Sequence, residues 1–426
     1  MPALHLAFFS IDVSPPVGHP LCGGWIEPCR AVDDKLKATG VVLLGPSSPV
    51  ILGAVDWCGL RNDAHRDWCA ALAEAAHTTP ERVAVQCVHP HNAPFADTGA
   101  EKHLAAAKAG SCVDRRFFKE CVGRVAEGVK ASLAKTERFT HVGVGRAKVE
   151  KVASARRVVE GGKVKFTRTS ATRDPKARDA PEGRIDPWLR TLSFWKEDAP
   201  LAALHYYSTH PMSYYGDGRV TPDFCGLARD AFADEAGGAR CAYFTGAAGD
   251  VTAGKYNDGD KKNRAVLKGR MLEAMRAAWK ATKRHAVDGW TWRETGLKLE
   301  PRREKGFSAE ASRKVLEDGK ASKAARGNAA FQLAWLERLE RPVPLSCLEI
   351  GPASVLHLPG EPFVHYQLLA QEMRKDRFVC VAGYGDGGMG YLPTDAAFLE
   401  GGYEPTVALA APCQKRLEEA MRDLLK

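Results

Sequence analysis

Val83-Ala84-Val85-Gln86-Cys87-Val88-His89-Pro90-His91 runs an apolar, β-branched stretch straight into two imidazoles, and Asn92-Ala93-Pro94 breaks the chain just beyond. The leading residues read as a buried strand and the rest as the turn that ends it. Imidazoles at i and i+2 on extended backbone point to one side, so His89 and His91 can face the same metal or substrate. The pair alone is ambiguous, because neighbouring histidines are more often surface or core residues than ligands. Ser208-Thr209-His210-Pro211 sets another histidine in the same position after a strand.

Outward from that stretch, strands and helices interleave. Val41–Leu44 and Val50–Val55 flank a Gly45-Pro46-Ser47-Ser48 turn and read as a hairpin; further strands are expected at 141–149, 192–195, 201–207, 241–244 and 378–382, with a hairpin around Gly351-Pro352. Helical spacing and end signals mark 63–76, 115–134, 223–235, 263–284, 362–373 and 414–425. Hairpins among helix-linked strands predict an α/β fold of mixed β-sheets, two of them packed face to face and covered by helices, in one large domain over 1–426. The Ala- and charge-rich stretch 305–342 reads as a surface helical excursion with little chemistry.

Composition is that of an ordinary globular chain. Of the formal charge of +9, most comes from 146–184, with twelve Lys or Arg against five Asp or Glu. No nucleic-acid motif accompanies that stretch, so a solvated hairpin and loop is expected there and no nucleic-acid partner. No apolar run reaches the roughly 18 residues that span a bilayer, and Leu4–Phe9 lacks the basic start of a signal peptide, so a cytoplasmic location is expected, with peripheral membrane contact left open. The twelve cysteines fall singly, with no C-x-x-C pair. They read as small core residues of a reducing compartment rather than zinc-ribbon ligands.

Four strand ends carry reactive residues: Val88–His91, Tyr207–His210, Phe244–Thr252 and His357–Glu361. Ligands gather at such ends in α/β folds. His89, His210 and Glu361 would make a two-imidazole, one-carboxylate set suited to hydrolytic Zn2+ with an open position for water. No local spacing such as H-E-x-x-H ties them together. Gly383-Tyr384-Gly385-Asp386-Gly387-Gly388 satisfies G-x-G-x-x-G but opens no helix, so a nucleotide is not expected. Gly246-Ala247-Ala248-Gly249-Asp250 lacks the Lys-Ser/Thr of a P-loop and reads as a tight turn presenting Thr252.

The order of these segments resembles the catalytic domain of the neutral, non-lysosomal ceramidases. Ile11-Asp12-Val13-Ser14-Pro15 with Gly23-Gly24, His89-x-His91, Ser208-Thr209-His210-Pro211 with Thr221-Pro222-Asp223, Gly249-Asp250-Val251-Thr252, Pro359-Gly360-Glu361, and Tyr391-Leu392-Pro393-Thr394 with Tyr403-Glu404 carry the resemblance. It implies a zinc amidohydrolase of a lipid or small-molecule amide, with zinc held by His89, His210, Glu361 and Tyr391. It also implies that His91 and an arginine, for which Arg156 and Arg157 both fit, contact the substrate carbonyl, with Tyr403 beside them. Thr252 stands where the family has a serine, as nucleophile or positioning residue. Asp223 is either second support for a ligand histidine or a cap of its own helix. The chain departs from the pattern at Asn92-Ala93-Pro94-Phe95, which replaces a glycine-rich run, at Thr252, and in ending before the C-terminal immunoglobulin-like domain. The alternatives are a zinc amidase or esterase on a non-lipid molecule and a non-catalytic binding protein on the same fold.

Overall fold

Three larger mixed sheets organise the computed structural model, which describes residues 3–426. The first has the strand order Val83–Cys87, Val50–Val55, Lys37–Leu44, His5–Asp12, Glu137–Arg138. In the second, the order is Arg240–Thr245, Ala199–Tyr207, Trp188–Lys196, His141–Lys148, Lys283–Ala286. Trp290–Leu297, Val343–Ile350, Ala353–His357 and Phe378–Ala382 form the third.

One device recurs in all three. Each sheet is antiparallel except for a single parallel pair at its edge: Val50–Val55 with Val83–Cys87, Ala199–Tyr207 with Arg240–Thr245, and Ala353–His357 with Phe378–Ala382. A parallel pair needs a crossover, and a helix supplies it each time: Asp63–Ala75, Asp223–Ala233 and Val364–Met373. The second strands of these units are tied together at their carboxyl ends. Thr245 Oγ1 donates to the Val88 carbonyl at 2.6 Å, Gly383 N to Thr245 O at 2.9 Å, and Cys87 N to Tyr384 O at 2.8 Å.

Local sequence explains the elements. Strand 50–55 and most of strand 37–44 are buried on both faces, and Val50–Val55 and Val41–Leu44 accordingly read as unbroken apolar runs. Helix Arg115–Ser132 starts at Asp114, whose carboxylate accepts from Arg116 N and Phe117 N, and buries Phe118, Val122, Val125 and Val129 along one face. Gly128 on that helix leaves room for Ile11, whose Cδ1 would lie 2.1 Å from an added Cβ.

The mixed α/β class is as expected, but three larger sheets replace the expected two. Trp290–Leu297, half-exposed and broken by Arg293, Glu294 and Gly296, carries no clean alternation, yet it founds the third sheet by pairing with Val343–Ile350. His5–Asp12 also escaped the sequence reading. The helix expected over 263–284 ends at Lys280, and Lys283–Ala286 pairs with His141–Val144 as an edge strand. The stretch 305–342 departs most. Its second helix, Lys323–Glu337, is no surface excursion, because Ala329 to Trp335 are buried. Its small residues serve close contact: an added Cβ at Gly327 would meet the Trp25 indole at 3.2 Å. The basic stretch does form an exposed hairpin, Arg157–Glu160 with Lys163–Thr167. Among the described residues no helix is long and apolar enough to cross a membrane.

Candidate active site

His89, His210 and Glu361 each lie just beyond a strand of one parallel unit, and their ligand atoms converge within 4.8 Å of one another. His89 Nε2 is 3.5 Å and His210 Nε2 3.3 Å from Glu361 Oε2. The backbone holds His89 at φ +76, uncommon for a side-chain-bearing residue and costly by about 1–3 kcal/mol. Such strain persists only where the surroundings over-determine it, here the His89 N to Trp57 O bond and the ring's bond to Cys58.

The tautomers follow from the partners. His89 Nδ1 faces the Cys58 carbonyl, and His210 Nδ1 faces the carbonyls of Ala248 at 2.7 Å and Val251 at 3.0 Å. A carbonyl can only accept, so both Nδ1 atoms carry the proton and both Nε2 atoms present lone pairs. Burial pushes His89 down to about 4 and lowers His210, whose neighbour Arg156 lowers it further. Burial would raise Glu361, but its charged surroundings outweigh it and hold the carboxyl well below its ordinary range, and with the imidazoles neutral the Arg156 guanidinium is the positive charge that remains beside it. At neutral pH three acceptors therefore meet without a proton between them. His89 Nε2 and Glu361 Oε2 are buried with no hydrogen-bond partner, while His210 Nε2 accepts from Arg156 Nη2 at 3.1 Å. Carbonyl-oriented imidazoles are the usual support of metal-binding histidines.

Tyr391 reaches the cluster through the backbone, since Glu361–Pro362 and Tyr391–Leu392 pair as parallel strands. Its hydroxyl accepts from Arg156 Nη1 at 3.1 Å, and burial raises its phenol well above the ordinary value. Tyr403, half-exposed, meets the Tyr391 ring edge-on at 5.8 Å, and the Arg156 guanidinium lies 5.7 Å from the Tyr403 ring centre. Arg156 stays charged although burial works against it, because Tyr391, Glu404 and Glu361 favour the cation. His91 packs edge-on against His89 at 4.6 Å and on Tyr215 at 5.2 Å, and burial lowers its imidazole.

Arg157 is engaged elsewhere: its guanidinium pairs with Glu404 and Glu400, both at 2.9 Å, whereas Arg156 reaches Tyr391 and His210. Thr252 is also spent elsewhere: its hydroxyl donates to Thr169 O at 3.3 Å and accepts from Gly254 N at 3.1 Å, away from the cleft. Asp223 supports no ligand histidine. It accepts from Ser213 N and from Phe224 N at the start of its own helix. The sequence reading missed Tyr384, which stacks on His89 at 4.4 Å and 28° and brings its hydroxyl to 3.5 Å from His210 Nδ1. A tyrosine between two glycines at a strand end was its signal.

A cleft of about 360 Å³ opens onto the cluster. Trp25, Phe95, Phe307 and Phe331 wall one side, with the Arg61 guanidinium 4.7 Å and 5.0 Å from the Phe95 and Phe331 ring centres. The altered run after His91 thus furnishes an aromatic wall through Phe95, and helix Lys323–Glu337 supplies Phe331, Asn328 and Gln332. A larger cavity of about 450 Å³ lies behind Val83–Gln86, against His65, His357 and Asp386, and touches none of the three converging residues.

No protein-family model matches the sequence, and no curated protein does. Solved structures match in shape. A ceramidase complexed with C2 has a TM-score of 0.72 at 14% identity, over 100% of this chain and 75% of that one. A neutral ceramidase from Pseudomonas aeruginosa has a TM-score of 0.71 at 14% identity, over 100% and 74%. The chain has the neutral ceramidase fold.

Proposed function

We propose that this chain is a zinc-dependent hydrolase of an N-acyl amide bond. One observation carries the reading: three buried acceptors beyond strand ends of three separate sheets face one another, two of them with no hydrogen-bond partner. A cation does reconcile them. Tetrahedral zinc with ligands at about 2.0–2.2 Å puts neighbouring N and O atoms about 3.3–3.6 Å apart, and the two N–O separations here are 3.3 and 3.5 Å. The donor set of two neutral imidazoles and a carboxylate is that of hydrolytic zinc sites with an open position. His89, His210 and Glu361 would hold the ion, with Tyr391 beside them as the fourth group. When bound, zinc supplies Lewis acidity, lowering the pKa of a water to about 7 and polarising a carbonyl.

The chain's own groups would do the rest. Arg156, released from His210 Nε2, can donate to the oxyanion that develops when an amide carbonyl becomes tetrahedral, with the Tyr403 hydroxyl nearby. The aromatic wall would hold the acyl chain. A cleft of about 360 Å³ is near the small end of ligand sites, which favours a short acyl amide over a two-chain lipid. All twelve cysteines are free and buried, which fits a reducing, cytoplasmic setting. The test is acyl release by purified protein from short N-acyl amides and from an N-acyl sphingoid base, before and after chelation and zinc return. Zinc-restored release is expected. One equivalent of zinc with no release from any amide or ester would favour a binding protein instead.

A further inference from the structure

Beside the cluster lies a second set of donors that shares no residue with it. Cys22 Sγ, Cys58 Sγ and a ring nitrogen of His91 lie within 4.8 Å of one another. Cys22 and Cys58 are buried and His91 is half-buried, with Cys58 and His91 on the wall of the cleft. The two sulfurs are 3.8 Å apart. Tetrahedral zinc with Zn–S bonds of about 2.3 Å requires an S–S edge of about 3.8 Å, whereas a disulfide requires about 2.05 Å.

The three donors are positioned by one short stretch of chain. Cys22 N donates to Ala93 O at 2.9 Å and Cys58 N to Pro94 O at 2.7 Å, so both cysteines hang from the carbonyls that follow His91. His91 Nδ1 lies 3.1 Å from the His89 carbonyl, which can only accept, and its Nε2 is left as a lone pair. Cys22 itself sits at φ +48, ahead of Gly23 and Gly24 at φ +70 and +81. Gly24 admits no side chain, because an added Cβ would stand 2.4 Å from Ser111 O. The loop thus adopts a left-handed path that, at Cys22, carries a residue that resists it.

We propose that Cys22, Cys58 and His91 form a second metal site, for a thiophilic divalent cation of the zinc class. Two thiolates and an imidazole select such ions over magnesium and calcium, and three protein ligands leave one position open toward the cleft. Binding releases two thiol protons to solvent and forms two metal–sulfur bonds. Cys58 adjoins both centres without being a ligand of the first: its carbonyl orients His89, and its sulfur serves the second ion.

Cobalt(II) titration of the metal-free, reduced full chain tests the proposal, because only thiolate ligation gives an intense near-ultraviolet charge-transfer band. The wild type should take up two equivalents and show the band. Cys22→Ala/Cys58→Ala should take up one and lose the band, and His210→Ala should take up one and keep it. Cys58→Ser and His91→Gln, tested singly, provide a check should the double variant not fold: each should weaken the band-forming equivalent at least tenfold. A wild type that binds one equivalent without the band, or a band that survives loss of both cysteines, would overturn the second site and leave the first standing. A single equivalent with the band, untouched by His210→Ala, would do the reverse.

Discussion

Glu361→Gln keeps the volume of the side chain and removes its charge, so it asks whether the carboxylate serves a cation. The readout is the zinc-dependent rise in melting temperature, taken in a Cys22→Ala/Cys58→Ala background so that one site is seen. With an unfolding entropy of about 2.1 cal/mol/K per residue, 426 residues give about 0.9 kcal/mol/K. Zinc at a hundred times its dissociation constant stabilises by about 2.7 kcal/mol, which raises the melting temperature by about 3 °C. Removing a group that merely orients a ligand costs 10–100-fold in metal affinity, so loss of a direct ligand should cost at least about a hundredfold. At the same zinc concentration the variant would then gain about 0.4 kcal/mol, or about 0.5 °C. Differential scanning calorimetry with and without zinc measures both increments, and comparing increments removes any change in the baseline. An undiminished increment in Glu361→Gln would refute the ligand role, and the absence of any increment in the background protein would refute the site.

Arg156→Ala should keep its metal and lose about 10²–10³ in kcat, the usual effect of removing an oxyanion donor, while Arg157→Ala, paired to Glu400 and Glu404, should keep kcat within a few-fold; equal losses would remove the distinction. Thr252→Ala should leave kcat unchanged and cost about 1 kcal/mol of stability, as a turn hydroxyl does, and a large fall in kcat would return Thr252 to the chemistry. Burial pushes His205 and His357 down to about 3, whereas an unfolded imidazole protonates near 6.5. The unfolded chain therefore binds more protons between those values, so metal-free stability is full above pH about 6.5 and falls as acid is added. Equal denaturation midpoints at pH 7.5 and 5 would contradict this.

Much of the site was legible because strand ends announce themselves. An apolar run stopped by proline or glycine shows where backbone leaves a sheet, and His89, His210 and Glu361 all stood there. Tyr391 came from motif order alone, since a lone tyrosine beside a glycine carries no periodic signal. Arg156 and Arg157 could not be told apart, because adjacent arginines look alike in sequence and only their partners, Tyr391 and His210 for one and Glu400 and Glu404 for the other, distinguish them. Thr252 fell away for a similar reason: a turn hydroxyl and a catalytic one have the same neighbours in sequence, and only the Thr169 carbonyl distinguishes them.

By itself, the sequence determined the mixed α/β class, most strands of the three larger sheets, the longer helices, and which residues stand beyond strand ends, because these depend on contacts within a dozen residues. Tertiary structure alone decided that three such ends meet, through bonds such as Thr245 to Val88 and Gly383 to Thr245. It also turned the alanine-rich helix inward to wall the cleft and brought Cys22 within 3.8 Å of Cys58. Those outcomes depend on groups far apart in the chain sharing one small volume, and no local pattern of residues encodes a distance of that kind.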